Sequence, residues 1–410
     1  MSGWPVVKLS DVATLSSGGT PSKAKSAFWD GDIPWMSPKD MKSNHIVDAQ
    51  DRITRAAVSE SAARIVGSNS VLAVVRSGIL AHTFPVATLA GDVSFNQDIK
   101  AITPKNGSLL PLFLFWMLKG QEAQILRIGV KKGATVHSLA NGFLEALRFP
   151  LPPLDEQRWI VGLLDQAAEI RRRVDAARAK ACTIIPALFL DTFGDPATNP
   201  KGWPVVEVGD LVGRIDGSWS PTCGEGTPSH DEWGMLKLSA VKSGGFDAHE
   251  AKPLPNQADA RPELEVRDGD LLLTRKNTLD LVGTAAVVSG SPRRRMLPGT
   301  VFRLVPAGPA SFQPEYLCTL INLASFRPVI RQLASGSAAS MPGTSKGKLL
   351  KLNVPVPPMA LQAAFSDQVH RLESLARRLD AAAAKAETMA AGLSAEVFGS
   401  LTLPVRRDAA

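Results

Sequence analysis

The chain has 410 residues, 44% of them hydrophobic and 21% charged, and carries a formal net charge of +7. At roughly 100–200 residues per domain this allows several domains with ample core, and the composition excludes wholesale disorder. The richest apolar run, Leu109–Leu118, falls well short of the ~18 residues of a membrane span. Cys182, Cys223 and Cys318 are too few and too widely spaced for a disulfide scaffold, and fit a reducing cytoplasm.

In chain order, Met1-Ser-Gly-Trp-Pro reads as neither a secretory nor a transit leader. Short apolar runs broken by Gly, Pro, Asn and Ser follow. Val71–Arg76 and Asp98–Thr103 predict strands, and Leu109–Leu126 predicts a helix. Pro150-Leu-Pro-Pro153 then stops the chain, because proline is tolerated at the start of a helix but not inside it. Downstream, apolar residues keep a seven-residue beat over Glu156–Leu190. One seam reads Ile160, Ala167, Val174, Ala181 and Leu188, the other Leu163, Ile170, Ala177 and Ile184. Such a pattern argues for a coiled coil, in which Pro186 should kink or end the helix early.

The chain then repeats itself. Gly3-Trp-Pro-Val-Val7 returns as Gly202-Trp-Pro-Val-Val206, and Arg76 as Arg275. Strands are predicted at Leu271–Arg275 and Val301–Val305, and a helix at Pro314–Leu333. Pro355-Val-Pro-Pro358 matches the first proline stop, Gln362 matches Gln157, and Phe398-Gly399 matches Phe193-Gly194. A second heptad helix over Leu361–Val397 has seams Phe365, Leu372, Leu379, Ala386, Leu393 and Gln368, Leu375, Ala382, Met389. Repeats this long mark a duplicated domain pair, since solenoid repeats run about 20–50 residues.

These elements predict an α+β fold. Two mixed domains, residues 1–152 and 196–357, are separated by helices at 153–195 and 358–400 that form an antiparallel coiled coil, with a pseudo-twofold repeat and a tail at 401–410. The alternative is that each helix merely packs on its own domain. The blocks carry +5, −1, +3 and 0 in chain order, so the basic excess is confined to the two mixed domains. That favours a polyanionic partner there, with bare solubility as the alternative.

The layout resembles the DNA-specificity subunit of type I restriction–modification enzymes over nearly the whole chain. The carrying residues are Trp4-Pro with Leu9 and Asp11-Val12, Ser94-x-Asn96-Gln97-Asp98, Gly133-Ala-Thr135 with Leu139, and Pro150-Leu-Pro-Pro-Leu-Asp-Glu-Gln157. The second copy offers Trp203-Pro-Val-Val with Asp210-Leu211, and Pro355-Val-Pro-Pro-Met-Ala-Leu-Gln362. It departs from the first where Ala360-Leu361 replaces Asp155-Glu156. The resemblance implies a chain that catalyses nothing and binds no cofactor or metal. Each mixed domain would read one half of a split target in double-stranded DNA. The helices would set the spacing and dock two modification subunits, which use S-adenosylmethionine. Restriction subunits, using ATP and Mg, would join them in the cytoplasm, away from any membrane.

Basic side chains cluster where loops follow strands or carry glycine: Arg76; Lys131 and Lys132 with His137 close by; Arg275 and Lys276; Arg293, Arg294 and Arg295; Lys346 and Lys348. Arginine can grip guanine through two hydrogen bonds, while lysine mostly holds phosphates. The plain alternative for any one of them is a solvated surface charge. Trp29, Trp35, Trp219 and Trp233 could stack on bases, with core filling as the default reading. Asp98-Ile-Lys100 imitates a metal-nuclease core without an acidic partner. Gly343-Thr-Ser-Lys-Gly-Lys348 has the wrong spacing for a phosphate loop, and Cys223 with His230 lacks further zinc ligands. A self-contained DNA-processing enzyme and a stand-alone DNA-binding scaffold are the competing readings. Missing catalytic motifs argue against the first, and neighbouring methyltransferase and helicase-nuclease genes would decide the second.

Overall fold

A computed structural model describes residues 3–399 apart from 134, 218, 244, 291–292 and 335–340, and describes 181 and 182 by backbone alone. The tail at 401–410, Ala134 of the Gly-Ala-Thr motif, and the side chains of Ala181 and Cys182 lie outside the described residues. The fold is α+β and divides into two compact units, residues 1–173 with 381–410, and residues 174–380.

In the first unit a five-stranded sheet runs in the order Ala13–Ser17, Ile99–Pro104, Val71–Val74, Val86–Leu89, His45–Ile46. Its central strand Val71–Val74 is buried throughout. The expected helix over Leu109–Leu126 is two helices, Pro111–Gly120 and Glu122–Gly129. Gln121, with φ −104 and ψ 7, breaks them. Phe113, Leu114, Met117 and Leu118 cover the sheet together with Ile160, Val161 and Leu164 from the first long helix and Val397 and Phe398 from the second.

The second unit holds a four-stranded sheet in the order Val212–Asp216, Val301–Pro306, Leu271–Thr274, Ala285–Val287. Tyr316, Leu317 and Leu320 pack on it, and Phe189, Phe193, Phe365 and Val369 from the long helices complete the core. Four of these rings form a cluster, with Phe189 stacked on Tyr316 at 5.3 Å and Phe193 edge-on to Phe365 at 5.4 Å. In each unit, therefore, the start of one long helix and the end of the other finish the core.

The two repeated motifs find each other within their own unit. Val6 pairs with Pro150 and Val205 with Pro355, so the strand after each Trp-Pro is tied antiparallel to the proline stop. The stops launch 40-residue helices, Leu154–Phe193 and Met359–Phe398, each ~60 Å long at 1.5 Å per residue.

Pro186 lies inside the first long helix, which continues to Phe193, so of the expected kink or early end the early end does not occur. The lost backbone hydrogen bond is outweighed by burial of Phe189 and Phe193 beyond it. The helix end is also capped: Lys201 Nζ donates to the carbonyls of Asp191 (2.8 Å) and Thr192 (2.7 Å), and the Trp203 indole donates to that of Phe193 (2.9 Å).

Only one of the two sequence seams is covered on each helix. Ile160 and Val174 are buried, and Leu372 and Leu379 half-buried. Leu163, Ile170, Ile184, Leu375 and Met389 are exposed, which corrects their assignment to the helix–helix seam. The second covered row lies one residue further along: Leu164, Arg171 and Ile185 on the first helix, and Val369, Ala376, Ala383, Ala390 and Val397 on the second. A helical neighbour lies at either three or four residues, so the beat alone does not choose between the rows. The polar Gln368 in one row against Val369 in the other was the available signal.

Candidate nucleic-acid interface

In the first unit a three-stranded sheet joins Val130–Lys131, His137–Leu139 and Arg76–Ser77. Its register sets Lys131 opposite Ser138 and Ser138 opposite Arg76. Directly opposed residues share a face, so two cations from segments 55 residues apart stand in one row, and Lys132 is the next residue along the chain, just past the strand. All three are exposed, and none has an ion pair or side-chain hydrogen bond among the described residues. His137 shares the face of buried Leu139, and its Nδ1 accepts the Gly133 N–H at 3.3 Å, closing the hairpin.

A cavity of about 360 Å³ opens beside this row, lined by Pro38, Arg76, Ser77, Gly78, Gln97, Asp98 and Val136. The Asn-Gln-Asp motif builds its wall. Asn96 Nδ2 donates to the Asp98 carboxylate at 3.2 Å, and Asn96 Oδ1 accepts the Asp98 N–H at 3.0 Å. Gln97 Oε1 accepts the Thr20 hydroxyl at 2.8 Å. The Asp98 carbonyl receives the Val75 and Arg76 N–H groups, which fixes the strand that carries the guanidinium.

In the second unit Lys276 bridges to Gly343, and the Thr344 N–H donates to the Arg275 carbonyl at 2.9 Å. Arg275 and Lys346 converge on buried Phe302, at 5.4 and 5.9 Å from its ring centre. Both are partly engaged: Lys346 Nζ donates to the Ile215 carbonyl at 2.6 Å, and Arg275 Nη1 to that of Gly299 at 3.5 Å. Lys276 and Lys348 are exposed and without a side-chain partner among the described residues.

The run Arg293-Arg294-Arg295 comes apart. Arg293 is exposed. Arg294 sits at φ +53 and donates to the Asp231 carbonyl. Arg295 is buried, and its guanidinium donates to the carbonyls of Pro228, Ser229, Glu232 and Ala248. That corrects its place among the DNA-facing candidates: it tacks a loop to the domain interior, and burial pushes its pKa down.

The remaining candidates have structural partners. Trp29 and Trp35 pack edge to face at 5.3 Å, with their indoles donating to the carbonyls of Ser22 and Gly19. Trp219 lies under the Arg261 guanidinium at 4.3 Å, and both Trp219 and Trp233 pack on a small core. Lys100 pairs with Glu145 at 3.0 Å. Ser345 caps a five-residue helix, Lys346–Leu350, through the Lys348 N–H. Among the described residues no group of three His, Cys, Asp or Glu could hold a metal, and no helix is long and apolar enough to cross a membrane.

What these surfaces can do is hold a polyanion. Replacing Arg76 and Lys131 with Ala is expected to weaken DNA binding and to flatten its salt dependence by about 0.9 per lost phosphate contact. Titration of the folded double variant at several salt concentrations checks this, and an unchanged slope removes the pair from the interface.

Comparison with known proteins agrees with the motifs. Residues 1–173 match the family model of the type I restriction modification DNA specificity domain. The chain is 37% identical over 159 residues to the type I restriction enzyme EcoR124I/EcoR124II specificity subunit of Escherichia coli, covering 38% of this chain and 39% of that protein. It is 28% identical over 236 residues to the type I restriction enzyme MjaIX specificity subunit of Methanocaldococcus jannaschii, covering 53% and 54%. The matches thus span about half or less of those relatives' lengths. The solved type I restriction-modification system S subunit from M. genitalium shares the fold across 98% of this chain and 97% of that one, with a TM-score of 0.60 and 12% identity. Residues 1–173 thus match a type I restriction modification DNA specificity domain, and the chain is similar to specificity subunits of that system over part of their length and in fold.

Proposed function

We propose that this chain is the noncatalytic DNA-specificity subunit of a cytoplasmic type I restriction–modification enzyme, and that each mixed domain reads one half of a bipartite target in double-stranded DNA. The observation that carries this reading is that residues 1–173, which match the specificity-domain family model, hold a row of Arg76 and Lys131, without side-chain partners among the described residues, beside the cavity, with Lys132 adjacent in the chain. Lys276 and Lys348, with Arg275 behind them, are the corresponding candidates in the other domain.

The two long helices act in this reading as an antiparallel coiled coil that sets the half-site spacing. Support comes from two ion pairs. Arg171 meets Glu387 at 3.4 Å in the first unit, and Arg178 meets Asp380 at 3.2 Å in the second. A step of seven forward on one helix is a step of seven back on the other, as antiparallel heptads require.

The uncovered heptad rows are the docks for two modification subunits. Leu163, Ile170 and Met389 are exposed in the first unit, Met389 by 67%, and Ile184, Leu361 and Leu375 in the second. Apolar side chains recurring on an exposed face mark an interaction surface. The modification subunits supply S-adenosylmethionine chemistry, and restriction subunits supply ATP- and Mg-dependent cleavage.

Two measurements test the proposal. Mapping methylated adenines in cells carrying the intact system should yield one split sequence, which changes when this chain is exchanged. The mass of the purified modification complex should correspond to two modification subunits per copy of this chain. Replacing Ile170 and Leu375 with Asp should lower that number. Methyl transfer by the isolated chain would overturn the noncatalytic assignment.

A further inference from the structure

The glutamine that recurs after each proline stop is spent in the same way in both units. Gln157 is fully buried. Its Oε1 accepts the Leu110 N–H at 2.9 Å, and its Nε2 donates to the carbonyls of Ser108 and Pro152, both at 2.8 Å. Gln362 is equally buried; its Oε1 accepts the Gln313 N–H at 3.0 Å, and its Nε2 donates to the Pro357 carbonyl at 2.8 Å. Leu110 and Gln313 are the N-cap residues of Pro111–Gly120 and Pro314–Asn322, the helices that cover each domain's main sheet. One side chain therefore joins the domain's own helix, the proline stop and the first turn of the long helix.

The chemistry suits a joint. A primary amide offers an acceptor and two donors in one plane, and no other neutral side chain of this reach does. In a buried site each of these bonds is directional, and its loss leaves an unpaired backbone group. Apolar packing alone would hold the helix against the domain but would allow it to swing, because burial is not directional.

We propose that Gln157 and Gln362 are positioning residues that fix the direction in which each long helix leaves its domain, and so set how sharply the protein discriminates between gap lengths in its target. This rests on the reading of the long helices as the spacing element.

The test uses the full chain assembled with its modification subunits. It reads methylation of a DNA pool in which both half-sites are held constant and the gap is varied one base pair at a time. The parent is expected to prefer one gap. Gln157→Leu and Gln362→Leu should lower the discrimination against neighbouring gaps by about tenfold, with both half-site sequences unchanged. A purely structural role would reduce methylation at every gap by the same factor, and that parallel loss, or an unaltered gap profile, would overturn the assignment. Should either leucine variant fail to fold, Gln157→Glu or Gln362→Glu, which keeps the acceptor and removes the donors, takes its place with the same readout. A parent that accepts all gaps equally defeats the spacing reading and this proposal with it. A sharp parent with equally sharp variants defeats the glutamine assignment alone.

Discussion

Inserting one heptad between Val174 and Asp175 and another between Ala383 and Ala384 is expected to lengthen the preferred gap between half-sites by about three base pairs. The insertion points are matched, since both fall between the ion pairs Arg171–Glu387 and Arg178–Asp380. Seven residues restore the seam's phase and add ~10 Å at 1.5 Å per residue, against ~3.4 Å per base pair of duplex. Both half-site sequences should stay the same, because neither mixed domain is altered. Affinity should fall, because three base pairs also turn the duplex by ~100° at about 10.5 per turn, which DNA or protein must absorb by twisting. A selection over DNA with the gap varied measures this. A folded variant that keeps the parental gap removes the helices from the spacing role.

The second large effect is on stability. Arg303 lies buried in the strand Val301–Pro306, and its guanidinium is fully spent. It donates to Asp216 Oδ2 at 3.0 and 2.7 Å, to Asp270 Oδ2 at 3.0 Å, and to the carbonyls of Glu265 and Glu263 at 2.8 and 2.9 Å. Arg303→Met is expected to cost about 3–5 kcal/mol, because it leaves two carboxylates and two carbonyls facing an apolar stem. For a unit of this size that is a drop of roughly 6–20 °C in melting temperature.

The same site predicts an acid limb. Burial opposes the Asp216 charge, but the hydrogen bonds from Arg214 and Arg303 outweigh it and hold the carboxyl below the usual carboxylate range. Its contribution is therefore present above the unfolded pKa of about 4 and is lost as pH falls through the lower folded value. Calorimetry at neutral and acid pH should show the loss in the parent and a smaller pH dependence in Arg303→Met. A variant as stable as the parent at pH 7 would show that the network contributes nothing net.

The charged residue inside the apolar run Val-Phe-Arg-Leu-Val was the visible signal for this network, but nothing local to it names Asp216, 87 residues away. The arginine run at 293–295 was legible only as charge. Successive side chains of an extended segment alternate sides, so a run entering the strand Arg295–Met296 must send one member inward, and which one depends on the sheet it joins. Lys131 and Arg76 show the converse. Arg76 and the cluster holding Lys131 read as separate surface charges, and strand pairing alone makes Arg76 and Lys131 neighbours.

The sequence by itself determined the duplication, the proline stops, the two long helices and the strands of the central sheets. These are written in local pattern and in repeated short motifs, and each is decided by the backbone within a few residues. Only the tertiary structure decided which heptad row is covered and which is left exposed, that Pro186 does not end its helix, and that each core is finished by the end of the other long helix. It also decided which cations lack a side-chain partner among the described residues. Those outcomes depend on contacts between segments tens to hundreds of residues apart, as with Gln121 Nε2 on the Phe398 carbonyl at 2.7 Å, and helical or strand periodicity carries no record of what lies opposite.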